Sequence, residues 1–299
     1  MALFGKLFGA NQENSVEGLL KSLQQAQERK NFVEIAKLYY QIGEIYLKQG
    51  NQEKAWLYIE KFDALAGSRD EIYEHIPEEM ADQASEWLEQ FEDSGMYVYE
   101  LRSWVEEQAE ELLGFERVKW NLLTMARFAK LFDRLSVFPG FELLADYKDV
   151  VEILAQALYH PMTEEEYQKV LEFVKEFYPF TDSEALADVS NRIPMANGLD
   201  FEAYDLISFE GLTNLYMVLE DLLQTSEQTL QNADVSTDFI TNSLLAGYYV
   251  RTHSEPLKEI PSVQAEEARI RSDYEFVEEA NQESFLKRFH EYEDMMLLS

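Results

Sequence analysis

Histidine is the side chain best suited to proton transfer and metal binding near neutral pH, and this chain of 299 residues has four of them. They are His75, His160, His253 and His290. None lies within helical reach of another, and none belongs to a His-x-Glu or His-Glu-x-x-His pattern, the spacings that bring metal ligands together. We therefore interpret each histidine as structural, and the sequence predicts no metal site.

Nucleophiles and phosphate-binding loops are not indicated either. The chain has no cysteine, which excludes disulfides, thiolate nucleophiles and cysteine metal sites. It contains no Gly-x-Gly-x-x-Gly or Gly-Lys-Ser/Thr loop to hold phosphate, and no Gly-x-Ser-x-Gly turn to present a nucleophilic serine. The sequence thus predicts no catalytic residue and no cofactor, and it favours a protein that is not an enzyme.

Carboxylates are the most abundant reactive groups, because 58 acidic residues against 25 basic ones give a formal net charge of -33. Such a surface repels nucleic acids and anionic lipids and speeds the encounter with a basic protein. The densest stretch, residues 78–111, carries twelve acidic residues and a single basic one, Arg102. Like charges four residues apart destabilise a helix by about 0.2–0.5 kcal/mol per pair, so folding alone does not favour this run. We predict a basic protein partner; the alternative is that the charge only keeps the chain soluble.

Two tryptophans, Trp87 and Trp104, interleave these charges and are candidate anchors for the partner, because tryptophan is enriched at binding hot spots. The alternative is that both tryptophans belong to the core. The other predicted contact residues are four glutamates that follow Trp104 and two neighbouring tyrosines, namely Glu106, Glu107, Glu110, Glu111, Tyr39 and Tyr40. Because carboxylates are so plentiful, the pairing of these glutamates is interpreted as a solvated helix face and not as a cation site.

Helical periodicity dominates the elements that must position these residues. Apolar residues recur at the i, i+3, i+4, i+7 spacing, and strand-like alternation is short wherever it occurs. Helices are predicted over residues 16–26, 32–48, 53–66, 78–91, 97–113, 115–135, 147–159, 163–177, 208–231, 237–251 and 262–292, with a further short helix that begins at 181–184. Thr163-Glu-Glu-Glu166 further predicts a capping box. The predicted fold class is all-α, a multi-helix array of antiparallel hairpins.

The segment 36–69 resembles a tetratricopeptide repeat. The family pattern is matched, in chain order, by Tyr39, Ile42-Gly43, Tyr46 and Ala55. Small residues at Gly43 and Ala55 let the two helices of such a hairpin cross closely, and Gly50-Asn51 supplies the turn. The sequence departs from the pattern after Ala55, and Gly67 stands where the terminal proline is usual. The resemblance implies an N-terminal hairpin that binds peptides or proteins and carries no reaction.

Composition divides the chain into a tail over residues 1–13, an acidic repeat-like domain over 14–113 and a second helical domain over 114–299. The second domain includes a linker over 252–261 and a charged helix over 262–292. In the middle helix, Arg127, Lys130 and Arg134 share one face and are expected to pair with acidic helices inside the fold. No secretory signal or membrane span is predicted, so we expect a cytoplasmic protein of bacterial style without stable membrane insertion.

Two classes of function remain open. The first is a non-enzymatic interaction protein, either a toxin-neutralising immunity protein, a class that is often acidic and free of cysteine, or a repeat-type adaptor or chaperone. The second is a helical hydrolase that combines scattered carboxylates with His160 or His253, with the loop Asn191–Asp205 lining its pocket. A concave pocket with converging carboxylates and histidine favours the enzyme, and an acidic face without such convergence favours binding.

Overall fold

The structure, a computed structural model, describes residues 15–29, 31–67, 70–94, 96–137, 142–177, 209–224, 230, 235, 239–240 and 257–295. Contacts group the chain into two compact units, Met1–Met96 and Tyr97–Ser299. All regular structure in the described ranges is helical, so the predicted all-α fold is confirmed. None of these helices is both long and apolar enough to cross a lipid bilayer. The predicted tail, the loop Asn191–Asp205 and residues 252–256 of the linker, which include His253, lie outside the described residues.

The first unit is built from short helices along the N-terminal third of the chain. They are α1 (Val16–Glu28), α2 (Phe32–Lys48), α3 (Gln52–Gly67), α4 (Asp70–Tyr73) and α5 (Glu78–Asp93). The Ser15 side chain begins α1 by accepting the backbone N–H of Gly18 at 3.1 Å. α1 and α2 bury one apolar cluster, formed by Leu19, Leu23, Ala26, Ile35, Leu38 and Ile42.

Helices α2 and α3 form the antiparallel hairpin that the sequence predicts. Gly50 supplies the turn with φ of 75°, a left-handed conformation that glycine adopts readily, and Asn51 Oδ1 accepts the Lys54 N–H at 3.1 Å. The two helices approach most closely at Gly43, where an added Cβ would lie 2.6 Å from Cδ1 of Ile59. Glycine at that position is therefore a packing requirement of the hairpin.

The second unit contains the remaining helices. They are α6 (Tyr97–Glu111), α7 (Gly114–Leu135), α8 (Tyr147–Ala157), α9 (Glu164–Phe177), α10 (Phe209–Gln224), α11 (Pro261–Glu279) and α12 (Gln282–Glu293). The sequence places its domain boundary after residue 113, whereas contacts group α6 with this unit. The reason is that side chains of α6 pack on α7 and α11, as when Trp104 meets Trp120 at a centroid distance of 6.1 Å.

Helix α7 is the centre of the second unit. Every residue from 118 to 129 is buried, and α8, α11 and α12 pack around the helix. A hydrogen bond also joins α8 to α7, because the hydroxyl of Tyr147 donates to the backbone carbonyl of Met125 at 3.0 Å. A helix that is buried on all sides normally lacks polar residues, yet α7 buries Lys119, Asn121, Thr124 and Arg127.

The charged C-terminal segment differs from the single helix that periodicity predicts over 262–292. The chain turns extended at Ala280, with ψ of 118°, and Asn281 then caps a new helix by accepting the backbone N–H three residues later at 2.9 Å. Lys119 closes the end of α11, because its Nζ donates to the carbonyls of Val277 at 3.1 Å and Ala280 at 2.7 Å. The local capping preference of asparagine thus outweighs the continuing apolar period.

The predicted capping box at the start of α9 is confirmed. The Thr163 N–H and hydroxyl both donate to Oε2 of Glu166, at 2.7 and 2.8 Å, while the Glu166 N–H donates back to the Thr163 hydroxyl at 3.2 Å. These bonds lower the pKa of Glu166 below its ordinary value, because the ionised carboxylate is the better acceptor.

Candidate interaction surfaces

The outer face of α5 is acidic along the length of the helix. Its described acidic side chains are all exposed and lie on one side, at Glu78, Glu79, Asp82, Glu86, Glu89 and Glu92. The opposite side is buried through Ala84 and Phe91. The helix contains no lysine or arginine, and within the described part of the chain no basic side chain forms an ion pair with these carboxylates. We call this set the α5 acidic face.

Trp87 and Tyr40, two of the predicted contact residues, lie together in the first unit. Their rings stack with centroids 5.2 Å apart, and the Tyr40 hydroxyl donates to Gln83 Oε1 at 2.8 Å. Tyr40 also meets Phe62 edge-on and is only 7% exposed, whereas Trp87 is half-buried. Tyr40 therefore positions Trp87 on α5, and Trp87 is the member of the pair that keeps a surface for contact.

Tyr39 lies on another side of α2, in a row of half-buried tyrosines. Its ring is 6.2 Å from that of Tyr58, which in turn stacks on Tyr46 at 5.8 Å. Lys61 lies over Tyr39 and Tyr58, with Nζ about 6 Å from each ring centroid. The structure thus does not bring Tyr39 together with Tyr40 and Trp87.

The predicted glutamates on α6 belong to the second unit and are exposed. Glu106, Glu107 and Glu110 form no ion pair with any residue that the structure describes. Glu111 differs, because it accepts a hydrogen bond from the Tyr274 hydroxyl at 3.1 Å. Three of the four glutamates therefore present charge that the described fold does not use.

Trp104 is half-buried among aromatic side chains of the second unit. Besides Trp120, its ring meets that of Tyr274 edge-on at 5.8 Å. The guanidinium of Arg271 lies over the indole, with Cζ 4.1 Å from the ring centroid. Trp104 therefore joins the core on one side and is covered by a solvent-facing arginine on another.

A buried ion network that the sequence pattern did not reveal ties α7 to α11. Arg127 donates from Nε to Glu266 at 2.7 Å and from Nη1 to Asp273 at 2.6 Å, and all three side chains are completely buried. The expected internal pairing of Arg127 is thus confirmed, although its partners come from the C-terminal segment. The signal in the sequence is a heptad-spaced buried stripe interrupted by carboxylates, at Val263, Glu266, Ile270, Asp273 and Val277.

The outer members of this network complete its hydrogen bonding. Asp273 Oδ1 accepts from the Tyr292 hydroxyl at 2.8 Å and lies 3.1 Å from Nε of Arg288. Burial raises the pKa of Asp273, against the opposing effect of Arg127 and Arg288, and burial is also the main cause that raises the pKa of Tyr292 to about 12. Glu266 and Asp273 are therefore buried and paired inside the fold, and neither can contact a partner.

The described histidines and one surface groove do not bring catalytic groups together. His160 Nε2 lies 3.3 Å from the side-chain amide of Gln282, and His290 Nδ1 lies 3.0 Å from Glu293. Among the described residues, no group of three or more His, Cys, Asp or Glu side chains is placed to hold a metal ion. A groove of about 400 Å³ in the second unit is lined by Phe276, Ser284, Lys287, Arg288, Glu291 and Tyr292, so its lining contains one carboxylate and no histidine.

Comparison of the chain with protein-family models, with curated proteins and with solved structures gives no match in any of the three.

Proposed function

We propose that the chain is a non-enzymatic binding protein that holds a basic protein partner against acidic helical surface. The α5 acidic face carries this proposal, because every charged side chain of the helix is acidic and those described are exposed on one side. Such an arrangement costs helix stability through like-charge repulsion. A basic partner would relieve that repulsion and regain the lost free energy on binding.

The second support comes from glutamates of α6 that pair with none of the described residues. Glu106, Glu107 and Glu110 extend the same sign of charge in the second unit. An acidic field of this kind raises the rate of encounter with a basic protein, an effect that salt screens over about 8–10 Å. Trp87 supplies a partly exposed aromatic surface beside these charges. Contact with its ring would add apolar burial to the electrostatic attraction of the partner.

The specific form that we favour is neutralisation of a basic toxin, in which the acidic surface covers the toxin's active cleft. The second form is a repeat-type adaptor or chaperone. It is favoured by the α2–α3 hairpin, whose close approach at Gly43 against Ile59 is the packing that a helical repeat needs. The two forms differ in partner number, because an inhibitor has one stoichiometric partner and an adaptor has many weaker clients.

Affinity capture from the native host, followed by mass spectrometry, tests the proposal when charge-reversed baits are compared. One bait reverses Asp82, Glu86 and Glu89 to lysine on α5, and another reverses Glu106, Glu107 and Glu110 on α6. The matched control reverses exposed acids of α9, at Glu165, Glu172 and Glu176.

We expect a basic protein that the wild-type chain and the α9 control retain, and that at least one of the other two baits loses. One stoichiometric protein supports the inhibitor, and many substoichiometric proteins support the adaptor. Equal retention by all baits contradicts binding through these surfaces. Turnover of a small compound by the purified chain, abolished by changing one buried acid or histidine, contradicts the non-enzymatic assignment.

A further inference from the structure

Side chains of helices α6 and α11 meet in a seam of polar and aromatic contacts. The pairs follow one another along both helices, in the order Tyr97–Glu267, Trp104–Arg271, Trp104–Tyr274 and Glu111–Tyr274. The α11 members recur at i, i+4 and i+7, so they form one stripe of that helix. Because the seam lies within the second unit, its geometry does not depend on the placement of the first.

Arg271 is the basic residue of this seam, and it makes two kinds of contact. Its guanidinium lies over the indole of Trp104 at 4.1 Å, and its Nε and Nη2 are each 2.8 Å from Oε1 of Glu267. The second oxygen of Glu267 accepts from the hydroxyl of Tyr97, and this contact adds to burial in raising the pKa of that tyrosine. Glu267 is thus held in place by Tyr97 independently of the arginine.

The Arg271 side chain remains 43% exposed, so solvent and a partner can both reach it. An ion pair whose cation is this accessible to water contributes only modestly to stability, so a second guanidinium can replace the arginine. Glu100 and Glu107 flank Trp104 on α6, one turn before it and one turn after it, and both are exposed. The surroundings of Trp104 therefore attract a cation, and Arg271 is the cation that the chain itself provides.

We propose that this seam is the point at which an arginine of the basic partner binds, and that it does so by displacing Arg271 from Trp104 and Glu267. The inference rests on the proposed function and names the residue that the partner contributes. The incoming guanidinium would take the same stacked position over the indole and donate to the freed Oε1 of Glu267. In the absence of the partner, Arg271 covers the indole of Trp104 and shields one face of this apolar ring from water.

The site selects arginine over lysine. A guanidinium is planar, stacks on an aromatic face and donates from two nitrogens at once, as Arg271 does from Nε and Nη2 to Oε1 of Glu267, whereas an ammonium is a strongly hydrated point charge. The field of the surrounding glutamates attracts both residues alike. A preference for arginine therefore reports on Trp104 and Glu267 and not on net charge.

The test measures fluorescence anisotropy of two labelled peptides of equal length, one of arginine and one of lysine, against the purified full chain at physiological ionic strength. We compare the wild type with Arg271→Ala and with Lys175→Ala. The second variant makes the same charge change at an exposed lysine of α9. Arg271→Ala is expected to tighten binding of the arginine peptide about tenfold and that of the lysine peptide about twofold, whereas Lys175→Ala tightens both about twofold or less.

Trp104→Leu in the Arg271→Ala background is expected to remove the gain for the arginine peptide. If the leucine variant does not fold, Glu267→Gln in the same background takes its place with the same expected result. Equal gains for the two peptides, or equal gains from the two single variants, overturn the arginine site while leaving the proposed function intact. Failure of every variant and of the wild type to bind either peptide overturns both.

Discussion

Arg127 and Asp273 form an ion pair at 2.6 Å, Nη1 to Oδ2, from which water is completely excluded. Arg127 simultaneously pairs with Glu266, and its Nη2 donates to the Thr124 hydroxyl at 3.1 Å. Burial lowers the pKa of Arg127, but attraction to the two carboxylates raises it by more, so the pKa lies above its ordinary value. Because these donors and acceptors meet at one relative position of α7 and α11, the network fixes how the two helices pack.

Replacing Arg127 with methionine removes the charge while keeping much of the side-chain volume. We expect a loss of about 3–5 kcal/mol in the free energy of unfolding, since two buried carboxylates lose their completely buried counter-charge. The cations that remain, Arg288 beside Asp273 and Arg269 beside Glu266, are both partly exposed. Urea denaturation followed by circular dichroism at pH 7 measures the loss. The triple variant Arg127→Met, Glu266→Gln, Asp273→Asn should recover much of it, and a triple variant no more stable than the single one contradicts the assigned cause.

The same variant has a predictable pH dependence. Burial holds the pKa of Asp273 above its ordinary value, and loss of Arg127 raises it further. A carboxyl whose pKa is higher in the folded state takes up its proton there first, so unfolding free energy rises as the pH falls below that pKa. The deficit of Arg127→Met relative to wild type should therefore shrink between pH 7 and about pH 4. A deficit that is constant over this range would falsify the account.

Much of the helical framework could be predicted from the sequence, because apolar periodicity and capping residues are local signals. The bounds of α2 match the prediction at both ends, and the Thr163 capping box and the Gly50 turn lie where expected. The break at Asn281 was missed, since the apolar period continues across it. Capping there depends on one side chain and on Lys119, which comes from a distant helix.

The candidate surfaces could be predicted only in part. Exposure of Glu106, Glu107 and Glu110 follows from the helical period, because the apolar residues of α6 lie on the opposite side of the helix and are buried. Which aromatic residues reach the surface depends on tertiary packing, so Tyr40 is buried and Trp104 is covered by Arg271. Contacts of this kind join residues far apart in sequence and leave no local pattern.

Gly43→Ala tests the close approach of α2 and α3. The new methyl group would lie 2.6 Å from Cδ1 and 2.8 Å from Cγ1 of Ile59, whose side chain is fully buried, so we expect a loss of about 1–3 kcal/mol. Gly67→Ala is the matched control, because its Cβ would meet nothing within 4 Å. Urea denaturation should show the control unchanged or slightly stabilised.

A double-mutant cycle then separates crowding from other effects of the alanine. In Gly43→Ala with Ile59→Ala, the new methyl group occupies space that the isoleucine vacates, so the double variant should be more stable than the sum of the two single losses predicts. Strict additivity of the two losses would show that Ile59 is not the side chain that limits position 43.

Asn281→Ala tests the cap that divides the C-terminal segment. Alanine cannot accept the Ser284 N–H, so we expect a loss of about 1 kcal/mol in the free energy of unfolding. Asn281→Asp keeps an acceptor at the same position and should retain the stability of the wild type. If both variants lose stability equally in urea denaturation, the hydrogen bond is not the source of the effect.

Glu166→Gln tests the capping box through its pH dependence. Hydrogen bonds from Thr163 hold the pKa of Glu166 below its ordinary value, so this carboxylate stabilises the fold above the unfolded-state pKa of about 4.3 and loses that effect as the pH falls through its lower folded-state pKa. The variant should be less stable than wild type by about 0.5 kcal/mol at pH 7, and the difference should vanish on acidification.

Glu165→Gln makes the same charge change at a neighbouring exposed residue, and it should show a smaller difference because no described hydrogen bond to Thr163 is lost. A loss from Glu165→Gln as large as that from Glu166→Gln would assign the effect to general helix electrostatics instead of to the capping box.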